Sequence, residues 1–530
     1  MSKYFRALAA SVIGAFAVVE FVFFSYGFSA FNATVFYFSL LLAFFLAIGF
    51  PQSGAKNRTL QFVLMGAIVA LSACFTLFDN RGLDFLNGAV ILFLMGILCL
   101  QRIGEERVAI GEKGFLKELL LGYILRPLLS IPDPFKEASE LSKAKRNIAD
   151  GTADSAPTRR SGLSTVVQII IALAVGLPLL IVLTVLLASS DAVFADWLGD
   201  LIQFLDARFV TDVLFRLFLF VPVVPFVMST IFSYKNKRFY SNNGGASGST
   251  QAMLIPEVSA ITILALVNAL YLVFAVVQSV YMFGAWAGEL PEGLTYAEYA
   301  RSGFFELAFV SAINAIMILV SIRYTKRRER AGTAVRVLSM ILIALSFVQL
   351  ASAFRRMALY IEAYGLSEDR YLVSGFMILM GVLFILLAVR EFFEKLPLFK
   401  SALLAGVLAL LLINFSVPGY WIASHNIDRY LSGDLDMLDA DYLMRNSSDS
   451  FLVLLEREDE LREEEDDRIE KDLDQIDKFV SSRYIREADD EDGLFGNRYS
   501  SYNKVIDTTW RSFNVSSYRV LMATEETQRD

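Results

Sequence analysis

Runs of about twenty apolar residues recur along the chain, separated by short polar connections, as far as residue 417. In order they cover 7–24, 32–50, 60–78, 85–101, 165–188, 212–232, 256–283, 304–322, 337–354, 371–389 and 401–417. Each is close to the length that carries a helix across a hydrocarbon layer about 30 Å thick. The pattern therefore predicts an all-α fold: a polytopic membrane helix bundle of about eleven transmembrane helices, followed by a small, mostly helical, acidic extramembrane C-terminal domain. The first run also has the outline of a secretory signal, with Lys3 and Arg6 before it and the small Ala30 and Ala33 after it. The second run follows at once, which favours an uncleaved first span.

Composition agrees with lipid as the solvent. The 530 residues are 55% hydrophobic and include 45 Phe, and the mean hydropathy is +0.51, more apolar surface than one water-soluble core can hide. Charge in the connections sets an orientation. Alternate connections are rich in Lys and Arg, most of all the long loop at 102–164 and the stretch 323–336, whereas the intervening ones carry few. By the preference of basic loops for the cytoplasm, the N-terminus lies inside and everything after the eleventh span lies outside. Within the long loop, 115–125 reads as an interfacial helix and 147–161 as disordered. Its basic residues read as a topology determinant, with no nucleic acid as partner. The organisation is then a four-span region at 1–101, a basic cytoplasmic loop at 102–164, a seven-span core at 165–417 and an acidic extracytoplasmic domain at 418–530, in a bacterial cytoplasmic membrane.

The last segment differs in kind, with 28 acidic against 14 basic residues. Ile469, Leu473, Ile476 and Val480 fall at heptad-like spacing, and 456–467 is almost wholly charged, so an amphipathic helix with an acidic overhang is expected. Such a surface suits cations or a protein partner with basic character; a plain solvated face fits the same pattern. The acidic run 489–492 lacks the alternating ligands and distal Glu of a calcium loop.

Candidate chemistry is confined to ionisable groups near the ends of the spans, which are costly in lipid and mark functional positions. At 294–306 a capping box of Thr295 and Glu298, with Leu294 and Tyr299 as staple, starts a helix that carries Arg301, Ser302 and Glu306 toward the membrane. Asp212 and Arg216 stand four apart, the spacing of a helical ion pair. With Glu20, Glu298, Arg301, Glu306, Arg355, Arg356, Glu362, Asp428 and Arg429 they form a candidate polar cluster at the outer face; local pairing or snorkelling of each residue is the plainer alternative. Pro222 and Pro225 would interrupt the span that holds Arg216. Two cysteines, Cys74 and Cys99, both inside apolar runs, and a single histidine, His425, leave neither a disulfide framework nor the usual zinc ligand sets. No catalytic, metal or cofactor-binding residue is assigned, and no cofactor is implied.

Four ordered motifs carry a resemblance: 189–195 (SSDAVFA), 293–307 (GLTYAEYARSGFFEL), 356–370 (RMALYIEAYGLSEDR) and 426–443 (NIDRYLSGDLDMLDADYL). Together they resemble a bacterial multi-pass membrane family catalogued as domain of unknown function 4173, with its relatives, over about 165–455. Ser302 stands where that pattern commonly has a basic residue, and Glu368 and Asp369 where it commonly has an apolar one. The resemblance implies a cytoplasmic-membrane location and no established activity. Three classes of function stay open: a non-enzymatic sensor or scaffold with an acidic outer domain, a transporter of a small solute with an outer-face polar cavity, and a membrane-embedded enzyme of envelope lipids drawing an acid or base from Glu298, Asp428 or His425.

Overall fold

The computed structural model describes residues 3–23, 30–49, 58–103, 130, 132–133, 136, 215–216, 219–220, 223–231, 255–286, 304–325, 329–464, 468–474 and 514–527. Among these residues every regular element is helical, and the β-type pairing is limited to an isolated parallel bridge between Ile255 and Thr325. The long helices are α1 (Lys3–Val18), α2 (Ala30–Ile48), α3 (Arg58–Leu77), α4 (Arg81–Ile103), α5 (Glu257–Trp286), α6 (Phe304–Tyr324), α7 (Glu329–Tyr364), α8 (Glu368–Phe392) and α9 (Leu398–Phe415). Shorter helices follow: α10 (Pro418–Leu431), α11 (Ala440–Asn446), α12 (Ser448–Glu456), α13 (Glu458–Arg462) and α14 (Val515–Thr527).

Seven of the described helices contain stretches long and apolar enough to cross a bilayer: Ala30–Ala47, Arg58–Leu77, Gly82–Gln101, Glu257–Val276, Gly332–Tyr364, Glu368–Phe392 and Leu398–Phe415. The chain is a membrane protein. Of the eleven expected spans, the run at 165–188 lies outside the described residues, and so does much of 212–232, of which 223–231 is helical. The first run does not form one straight helix. After Val18 it passes into a π turn, Val19–Phe23, so its regular part is only 16 residues long. Helix α6 runs from Phe304 to Tyr324, and its apolar stretch among the described residues is Phe309–Arg323.

The chain divides into two compact units. In the first (Met1–Ala73, Gly88–Gly244, Trp510–Ser512), α1 and α2 pack along a seam of buried Ala7, Ala10, Ala15, Ala17 and Ala33. Small side chains let helix backbones approach closely where lipid offers no competing hydrophobic drive. The Thr34 hydroxyl of α2 donates to the Ser72 carbonyl of α3 at 2.6 Å.

The second unit (Cys74–Asn87, Gly245–Thr509, Phe513–Asp530) contains α5 to α14 and the adjoining ends of α3 and α4. Helices α5 to α8 share a core that includes Leu264, Ile318, Leu342, Met380 and the fully buried Phe384. Asn87 of α4 and Asn414 of α9 join their amides reciprocally at 2.8 and 2.9 Å, and Asn414 also donates to the Leu410 carbonyl. A doubly bonded amide pair satisfies groups that hydrocarbon cannot. Past α9, Val417 takes a left-handed conformation (φ 50°), unfavourable for a β-branched residue, and Pro418 opens α10 at its first turn. The C-terminal helices then form their own apolar cluster around Ile422, Ile427, Leu443, Phe451, Leu454 and Val520.

Candidate functional site

The short turn between α7 and α8 is the best-built polar feature of the second unit. Helix α7 ends at Tyr364, Gly365 turns the chain with φ 74°, and α8 starts at Glu368 after Ser367. Glycine is required here by both the left-handed backbone and the space: a Cβ would lie 2.7 Å from Asn426 Oδ1. Asn426 of α10 grips the turn with both ends of its amide. Its Oδ1 accepts the Leu366 N–H at 2.6 Å and its Nδ2 donates to the Leu366 carbonyl at 2.8 Å. One turn further along α10, Arg429 donates to the carbonyls of Ile361 (3.0 Å) and Glu362 (2.9 Å), which the end of a helix leaves open, and to that of Asp434 (3.0 Å). From α11, the Tyr442 hydroxyl accepts the Glu368 N–H at 2.9 Å. Burial raises the Tyr442 phenol above its ordinary value, so it stays protonated at neutral pH. Arg370 closes the turn from α8: it donates to the Tyr364 and Gly365 carbonyls and lies 4.1 Å from the centre of the Tyr360 ring.

A second contact ties α12 and α14 to the ends of α3 and α4. Ser448, at the start of α12, gives its hydroxyl proton to Asp79 at 2.6 Å and its N–H to the same oxygen at 3.2 Å. Asn514 donates to the Phe75 and Phe78 carbonyls at the end of α3, and Ser516 donates to Asp449 at 2.8 Å. Burial is the main reason the Asp449 carboxyl is raised above its ordinary value; Asp79 adds to the rise, while Ser516 and Arg519 oppose it. A raised native value favours the protonated fold, so this contribution is fully present below the unfolded carboxylate pKa of about 3.9 and is lost as pH climbs through the native one. Asp449→Asn keeps an oxygen for Ser516. It should raise the thermal midpoint at pH 7, leave it nearly unchanged at pH 4, and so flatten the slope between them, which thermal melts across that range will measure.

The expected polar residues are distributed among these features. In the first unit, Glu20 lies in the π turn after α1, buried, and its carboxylate meets Arg216 at 2.8 Å. Arg216 therefore has a partner far away in sequence; Asp212, the partner expected from spacing, lies outside the described residues, as do Glu298, Arg301 and the capping box at Thr295. Glu306 falls on α6, with its side chain outside the described set. In the second unit Arg355 pairs with Glu362 at 3.6 Å near the end of α7, and Arg356 follows it on that helix. Asp428 receives Arg457 at 2.9 Å, and Arg457 also meets Glu460 at 2.7 Å. His425 is lowered by burial and by the nearby Arg429, which leaves it neutral at pH 7. Among the described residues no group of three His, Cys, Asp or Glu side chains is arranged to hold a metal ion.

Residues 64–457 match the family described as Domain of unknown function (DUF4153). The chain belongs to this family. The match bears out a family of unknown function; it is to DUF4153, does not confirm the number 4173, and starts within α3, about a hundred residues before the region expected at 165–455. No curated protein and no solved structure matches the chain significantly. The DUF4153 region includes the turn at 364–368 together with Asn426, Arg429 and Tyr442, and two of the motifs read from the sequence, 356–370 and 426–443, are the two sides of this one clamp. Sequence reasoning selected Arg429 for its charge and passed over Asn426, Tyr442 and Gly365. The available signal was Gly365 between an amphipathic helix end and Ser367, a helix stop followed by a helix start.

Proposed function

We propose that this DUF4153 protein is a non-enzymatic membrane receiver, in which the C-terminal helices take a basic partner on their acidic surface and pass the event to the spans. The observation that carries the reading is the clamp: Asn426, Arg429 and Tyr442 hold the backbone of the turn that joins α7 to α8. Bonds to backbone rather than to side chains make the turn follow any movement of α10 and α11. The left-handed Val417 concentrates strain where the last span passes into α10, a place from which such movement starts. In this reading segment 418–530 is an extracytoplasmic domain, the N-terminus is cytoplasmic and the membrane is a bacterial cytoplasmic one, as the basic connections favour.

The test uses the full-length chain with Cys74→Ala and Cys99→Ala. A cysteine at the exposed Met437 should react with an impermeant maleimide in intact cells; reaction only after lysis would end the outward receiver. In the purified protein, an environment-sensitive probe at the exposed position 364 should respond to oligolysine, and Asn426→Ala/Arg429→Ala should abolish the response while oligolysine still binds. A response that survives the double substitution refutes relay through the clamp. Transport of a small solute is the second reading, favoured by the π turn that aims Glu20 at Arg216, since π turns interrupt helices at functional positions.

A further inference from the structure

Helices α7 and α8 pack as an antiparallel pair, so the start of one span lies beside the end of the other: Gly332 opens the span of α7 and Phe392 closes that of α8. At that end the pair carries a groove of about 340 Å³, lined by Arg336, Val337, Met340, Ile341 and Ala344 of α7 and by Phe392 of α8. Its volume falls in the range of about 300–1,000 Å³ that ligand-holding clefts occupy. Val337, Ile341 and Ala344 follow one another at steps of four and three on one stripe of α7, and all three are exposed, so the groove faces lipid.

Polarity is graded along the groove. Arg336 lies about 6 Å from the start of the α7 span at 1.5 Å per residue, and Ala344 about 12 Å deeper. Past Arg336 every lining side chain is apolar. At the mouth, Arg336 gives its Nη2 to Glu394 Oε1 at 3.2 Å, while its Nε stands 3.9 Å from Glu391 Oε2, beyond hydrogen-bond reach. Glu391 is fully buried beneath the guanidinium, and Glu394 is exposed beside it. Among the described residues the bond to Glu394 is the one hydrogen bond that Arg336 makes, which leaves its Nη1 uncommitted. A cation and an anion thus stand side by side at headgroup depth, where the exposed Phe392 and Phe393 also sit.

We propose that this groove holds an acyl chain of a phospholipid whose headgroup carries both a phosphate and a primary ammonium, as phosphatidylethanolamine does. Lipid tails are the solvent of α7 and α8, and a chain lying in the groove brings its headgroup level with Arg336 and Glu394. The phosphate accepts from Nη1 of Arg336, and the ammonium donates to Glu394. A quaternary choline has no N–H to give that carboxylate. The headgroup and the protein pair lie with opposite charges facing, so the bond between Arg336 and Glu394 stays made. A headgroup with a phosphate and no cation would set its charge against two carboxylates, Glu391 and Glu394, with only Arg336 to oppose them. This site stands independently of the receiver reading.

The full-length protein, purified in detergent, is given equal amounts of phosphatidylethanolamine, phosphatidylcholine and phosphatidylglycerol with identical acyl chains, and the lipid it retains is identified by native mass spectrometry. Phosphatidylethanolamine should be retained in preference to the other two. Arg336→Gln should lower that retention about tenfold, through loss of a hydrogen bond between charged groups. Glu394→Gln should erase the preference over phosphatidylcholine. Ala344→Phe, which fills the groove and touches no charge, should lower retention of phosphatidylethanolamine. Should Arg336→Gln fail to fold, because Arg336 also faces the buried Glu391, the substitutions at the exposed Glu394 and Ala344 carry the test. Equal retention of the three lipids would mean that the groove takes whatever lipid surrounds it, and would overturn the proposal. A preference for phosphatidylglycerol, drawn by Arg390 and Lys395 at the same end of α8, would overturn it too, as would retention of phosphatidylethanolamine that is indifferent to Glu394→Gln or to Ala344→Phe.

Discussion

Phe451→Ala should loosen the C-terminal helices while the spans stay folded. Phe451 is 1% exposed at the centre of their apolar cluster, in contact with a set of side chains that includes Ile422, Leu443 and Leu454. Truncating a buried Phe costs about 3–5 kcal/mol, from the lost transfer of the ring and the cavity it leaves. That approaches the whole stability of a small helical cluster of about 5 kcal/mol. The measurement is proteolysis of the reconstituted protein across temperature. Cleavage within 418–462 should begin well below the wild-type temperature, with the helices from α5 to α9 still protected; unchanged cleavage would show that the cluster does not depend on this ring.

The second large effect is expected at Gly365. Alanine there must adopt φ 74°, a left-handed conformation that costs an L residue about 1–2 kcal/mol, and its Cβ meets Asn426 Oδ1 at 2.7 Å. Moving the amide sacrifices the two bonds to Leu366, each worth about 0.5–1.5 kcal/mol. Gly365→Ala should therefore destabilise by about 2–5 kcal/mol in all. Asn426→Ala removes the clash together with the bonds, so the double variant should be less destabilised than the sum of the singles. Chemical denaturation of the four proteins of that cycle checks both the size and the sign of the coupling. Strict additivity would mean that the turn and the Asn426 amide are not engaged in the way the distances imply.

The candidate site was partly visible beforehand. Glu20, Arg216, Arg355, Glu362, Asp428 and Arg429 were chosen because charge near lipid is costly, and all six make ion pairs or charge-assisted hydrogen bonds. Their grouping was not visible. Arg216 and Glu20 are separated by 196 positions, and Asn426 and Leu366 by 60, and no local pattern links residues so far apart. The polar face of α6 and α7 is also written in the sequence, as Ser, Asn and Gln at steps of three and four inside apolar runs.

Membrane residence and helical character follow from the residues alone, because transfer from water to lipid is summed residue by residue and a spanning backbone must satisfy its own polar groups by forming helix. The fold brings Arg216 to Glu20 through a π turn that apolar periodicity does not announce, while Asp212, the partner that spacing suggests, lies outside the described residues. Which carbonyl Asn426 finds, which carboxylate Arg336 meets and where Gly365 meets an amide are set by the packing of one helix on another. Those partners lie tens to hundreds of residues apart, and only the folded chain brings them within hydrogen-bonding distance.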